Sequence, residues 1–79
     1  MLVKKSFSLA GHRTSVALEA AFWDALAEMA AAEGVSLAAL VMGVDGARDP
    51  AQPLASALRV AALAAARAHC ARPENSSKP

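Results

Sequence analysis

The sequence predicts a mainly α fold, with strand signal confined to the N-terminus, assembled as a dimer. Three observations carry this. Residues 13 to 18 (RTSVAL) alternate polar and apolar side chains and include β-branched ones. From Glu19 onward, apolar residues recur at helical spacing in stretches broken by Gly34 and by Asp49-Pro50-Ala51-Gln52-Pro53. The 79 residues are 56% hydrophobic but only 4% aromatic, and much of the remainder is alanine, so each buried position removes little apolar area from water. A chain this short buries only about 60% of its unfolded surface, and small scaffolds usually need a staple. The single Cys70 forms no intrachain disulfide and no Cys/His cluster has zinc-ligand spacing, so oligomerisation is the device that remains.

The elements follow in order. Residues 3 to 9 (VKKSFSL) alternate, with Val3, Lys5, Phe7 and Leu9 on one side and Lys4, Ser6 and Ser8 on the other, which fits either an extra strand or a basic arm. Ala10-Gly11-His12 reads as a turn. Within 13 to 18, Thr14, Val16 and Leu18 face a core in a strand reading while Arg13, Ser15 and Ala17 face out. A helix capped by Ser15 fits the same residues, because Leu18, Phe22, Leu26 and Met29 continue a 3.6-residue stripe. Periodicity alone does not choose between them.

Glu19 to Glu33 is a helix with Phe22, Leu26 and Met29 in one stripe widened by Trp23 and Ala30, ended by Gly34 as a C′ glycine. Ser36 is the N-cap of a second helix to about Arg48, with Leu37, Leu40, Val41 and Val44 on its buried face. After the proline-bounded linker, Leu54 to about His69 is a third helix carrying Leu54, Leu58, Ala61, Ala62 and Ala65 on one stripe. The expected organisation is therefore an N-terminal arm or strand over 1–11, a core over 12–48, a linker over 49–53, a helix over 54–70 and a disordered tail over 71–79.

A lone strand of six residues leaves its backbone groups unpaired, which pairing with the same strand of a second copy would cure. The order of strand, four-turn helix, glycine-ended bend with a serine cap and second apolar helix resembles the ribbon-helix-helix family of bacterial DNA-binding regulators. The likeness rests on His12-Arg13-Thr14-Ser15-Val16-Ala17-Leu18-Glu19, on Ala21-Phe22-Trp23-Asp24-Ala25-Leu26, on Gly34-Val35-Ser36-Leu37, and on Leu54-Ala55-Ser56-Ala57-Leu58-Arg59-Val60. It covers roughly residues 3 to 63 and points to a subgroup with an extra C-terminal helix.

The resemblance implies one short strand at 13 to 18. It further implies an intertwined homodimer whose intermolecular two-stranded antiparallel ribbon enters the major groove of double-stranded DNA, with the helices as core. It places Arg13, Ser15 and Ala17 against base edges. Arg suits a bidentate contact with guanine, Ser is a tolerant donor or acceptor, and Ala17 departs from the polar side chains common there, offering only a methyl-scale contact. Val35 and Ser36, at the start of the second helix, would hold a backbone phosphate, and Lys4, Lys5 and His12 would add phosphate contacts.

Charge agrees in its distribution rather than its sum of +1: Lys4, Lys5 and Arg13 meet no acid before Glu19, whereas Asp24, Glu28, Glu33 and Asp45 precede Arg48. A transcriptional regulator is the first functional reading. A dimeric protein-interaction module on the same scaffold, antitoxin-like and binding its partner through 54–70, is the alternative.

Other classes fall away. No nucleophile, base and orienting group assemble with any spacing logic, so no enzyme, small-molecule substrate or cofactor is expected. Asp24 and Glu28 read as solvated charge, Trp23 as core or dimer interface, and His69-Cys70 as a chance pair lacking further metal ligands, with Cys70 still able to cross-link two chains on oxidation. Residues 54 to 69 have too small an apolar face for strong membrane binding. With no secretory leader legible, a cytoplasmic protein with a reduced thiol is expected.

Overall fold

A computed structural model describes residues 1–71. The expectations for the tail after residue 71 and for the His69 and Cys70 side chains lie outside what is described. Five elements follow one another: β1 (Leu2–Leu9), β2 (His12–Glu19), α1 (Ala20–Glu33), α2 (Leu37–Ala47) and α3 (Leu54–Ala71).

The strands form an antiparallel hairpin with Leu9 opposite His12 and Leu2 opposite Glu19. Residues 13 to 18 are thus strand, and residues 3 to 9 form the extra strand rather than a free arm. The backbone partner that the sequence reading sought in a second copy is supplied on one side of β2 by β1 of the same chain. The cause is the joint between them. Ala10 and Gly11 both take positive φ, 51° and 84°, and this two-residue primed turn matches the twist of a strand pair.

One face of the hairpin feeds the core. Phe7 and Leu9 of β1 and Val16 and Leu18 of β2 are buried against the helices, as the alternation of both segments requires. In α1 the innermost residues are Trp23, Leu26 and Ala30, while Phe22 and Met29 are only half-buried, so the helix is rotated from the stripe the sequence suggested. Two contacts hold it there: the Trp23 indole Nε1–H donates to the Val3 carbonyl at 2.7 Å, and its ring lies 5.9 Å from that of Phe7. A buried indole N–H needs an acceptor, and β1 provides it.

Gly34 ends α1 in the left-handed conformation, and the Val35 N–H returns to the Ala30 carbonyl at 3.0 Å, closing the reversal into α2. Ser36 caps α2 through its hydroxyl, which accepts the Ala39 N–H at 3.0 Å. Leu40 and Val41 are buried, with Leu37 and Val44 at their margins. In the linker, Arg48 donates to Asp45 at 2.9 Å and to the Gln52 carbonyl at 2.7 Å, holding the bend toward α3. Leu54, Ala57, Leu58 and Ala62 then bring α3 onto the same core, with Leu58 fully buried.

Candidate nucleic-acid interface

The face of the hairpin turned away from the helices is set by register. Residues opposite one another in an antiparallel pair share a face, so Lys4 stands with Ala17, Ser6 with Ser15, and Ser8 with Arg13. These pairs form a short polar surface of two strands. The Ser6 and Ser15 hydroxyls are hydrogen-bonded to each other at 2.9 Å.

The same parity separates residues that the sequence reading grouped. Lys4, Arg13, Ser15 and Ala17 share the outer face, but Lys5 lies opposite Val16 and His12 opposite Leu9, on the side that meets the helices. There the Lys5 ammonium sits 5.7 Å from the centre of the Trp23 ring, within cation–π range. Ser6 and Ser8 were absent from the expected contact set. Their alternation with Lys4 was legible, but their place beside Arg13 and Ser15 depends on a cross-strand pairing that no local pattern reports.

The only acid of the hairpin is Glu19, at its far end and directly before α1. Its carboxylate accepts Arg59 Nε–H of α3 at 3.1 Å, and Arg59 also lies 5.7 Å over the Phe22 ring. Its own backbone N–H, and then Arg59, hold the Glu19 carboxyl below the usual carboxylate range. The acid that would oppose a polyanion is thereby matched to a cation, while Lys4 and Arg13 meet no acid along the strands. The exposed acids Asp24, Glu28 and Glu33 are on α1.

At the start of α2, Val35 is exposed and the Ser36 hydroxyl is committed to the Ala39 N–H, while the Leu40 N–H already bonds within the helix. The Leu37 and Ala38 N–H groups are left for an external acceptor at the positive end of the helix dipole. Among the described residues, no three His, Cys, Asp or Glu side chains gather where they could hold a metal ion. No single helix among them is long and apolar enough to cross a membrane.

The family model described as ribbon-helix-helix domain matches residues 2–66, spanning both strands, α1, α2 and most of α3. No curated protein and no solved structure matches the chain.

Proposed function

The chain belongs to the ribbon-helix-helix domain family, and from that membership we propose that it is a homodimeric, sequence-specific DNA-binding transcriptional regulator that acts in the cytoplasm without catalysing a reaction. The observation that carries the reading is the outer face of the hairpin, where Lys4 and Arg13 flank small hydroxyl-bearing side chains and the terminal acid is paired with Arg59. Among the described residues, β1 leaves one edge of β2 without a strand partner. A second copy pairs along that edge to form the intermolecular ribbon, with β1 as a flanking strand on each side. Arg13, Ser15 and Ala17 then meet base edges, Lys4 reaches a phosphate, and the Leu37 and Ala38 amides beside Val35 and Ser36 take another. Lys5 and His12, on the helix-facing side, contribute field rather than contact.

The test is binding to random-sequence duplex DNA across a salt series, with Arg13→Ala beside the wild type. Affinity should fall steeply with salt, and the variant should bind more weakly. Absence of binding at low salt would sink the reading.

Two observations favour a second reading, a dimeric protein-interaction module that includes antitoxin-like binding. Val60 and Leu63 on α3 are apolar yet 55% and 54% exposed, and the chain carries a net charge of only +1. In that reading a protein partner covers α3 within residues 54–70, and the salt series shows no DNA binding.

A further inference from the structure

We propose that Arg59 is a positioning residue for DNA docking: by holding the Glu19 carboxylate against α3, it keeps that acid from capturing Lys4, the cation that β1 offers to a phosphate. This rests on the DNA-docking reading above.

Strand parity puts Glu19 in the row of side chains that β2 turns outward, two residues beyond Ala17 in the series Arg13, Ser15, Ala17. Lys4 stands directly opposite Ala17 and Glu19 directly opposite Leu2, so Lys4 and Glu19 are diagonal neighbours across the hairpin. Diagonal neighbours in an antiparallel pair are about 7–8 Å apart, within reach of long side chains. Opposite charges so placed attract each other, and an ammonium tied to a carboxylate no longer neutralises a phosphate.

Arg59 draws the acid the other way. Its Nε–H donates to Glu19 Oε1 at 3.1 Å, and its guanidinium lies 5.7 Å from the centre of the Phe22 ring of α1. The aromatic face holds the guanidinium on the helix side, and a guanidinium stays charged at every pH the fold meets. Both members of the pair are partly exposed, so the pair itself adds little to stability. Its consequence is the choice of cation that the acid occupies. With Arg59 in place Lys4 remains available; without it, Glu19 turns back to the outer face and takes Lys4.

The experiment measures affinity for random-sequence duplex between about 50 and 200 mM salt for the wild-type chain, Arg59→Gln, Glu19→Gln, the double variant and Arg67→Gln, each with a circular dichroism melt. Arg59→Gln should bind more than about tenfold more weakly at the low-salt end, with a log–log salt slope shallower by about 0.9 per chain, the loss of one phosphate contact. Glu19→Gln breaks the same ion pair and costs the same small stability, yet it should bind within about twofold of wild type because Lys4 stays free. The double variant should bind as Glu19→Gln does. Arg67, an exposed cation about 12 Å further along α3, removes the same charge in Arg67→Gln and should leave the slope unchanged.

A wild-type slope in Arg59→Gln, an equal loss in Glu19→Gln, or a loss that the double variant fails to rescue would overturn the proposal and leave the docking reading standing. So would a gain in Glu19→Gln as large as the loss in Arg59→Gln, which is the signature of net charge alone. A wild type that binds no duplex at low salt overturns both.

Discussion

Ala10 is the described non-glycine residue with a positive φ, 51°, and it occupies the first position of a turn that demands that conformation twice. An L-residue with a Cβ is held there at a cost of about 1 kcal/mol, a strain that asparagine bears more easily. Ala10→Asn should therefore raise stability by about 0.5–1 kcal/mol in denaturant unfolding. An unchanged or lowered midpoint would mean that the hairpin does not close through this turn. Ser6 shows the complementary lesson: its hydrogen-bond partner, the Ser15 hydroxyl, is invisible in its own neighbourhood and lies across the strand.

Among the described residues, α3 is tied to the rest by apolar burial and by one side-chain ion pair, Arg59 to Glu19, which joins the third helix to the end of β2. Because the Glu19 carboxyl is held below its ordinary range in the folded chain, its contribution to stability is present above the unfolded value of about 4.5 and is lost as pH falls through the lower folded value. The melting temperature of wild type should exceed that of Glu19→Gln near neutral pH, and the gap should narrow as pH falls below about 4.5 and close beneath the lower folded value. A gap that persists unchanged in acid would show that the carboxylate's charge is not what the contact uses. The exposed setting keeps the effect small.

For the whole molecule the central expectation is association. The outward side of α2 carries Ala38, Ala39, Met42, Gly43 and Gly46 without a charge, and Met42 is 51% exposed there. In the proposed homodimer a second copy would cover this surface, and stability would then depend on concentration by mass action. The melting temperature should rise between about 1 and about 100 µM protein, and Met42→Lys should abolish the rise. A melting temperature independent of concentration in the wild type would mean a monomer, and the ribbon of two copies would fall with it.

Much of this was legible in the chain itself. The glycine stop at Gly34, the Ser36 cap, the proline-bounded linker and the apolar faces of α2 and α3 were all recognisable because each depends on residues within a turn or two of one another. The alternation in 3 to 9 and 13 to 18 likewise assigned each side chain to one of two faces. Three things required the folded chain: that β1 pairs with β2, that Trp23 rather than Phe22 is innermost in α1, and that Lys5 lies over that indole while Lys4 stays on the outer face with Ser6 and Arg13. Periodicity reports the rotation of an element about its own axis and says nothing of its neighbour. Register between strands and the depth of a ring in a core are set by contacts between residues distant in sequence.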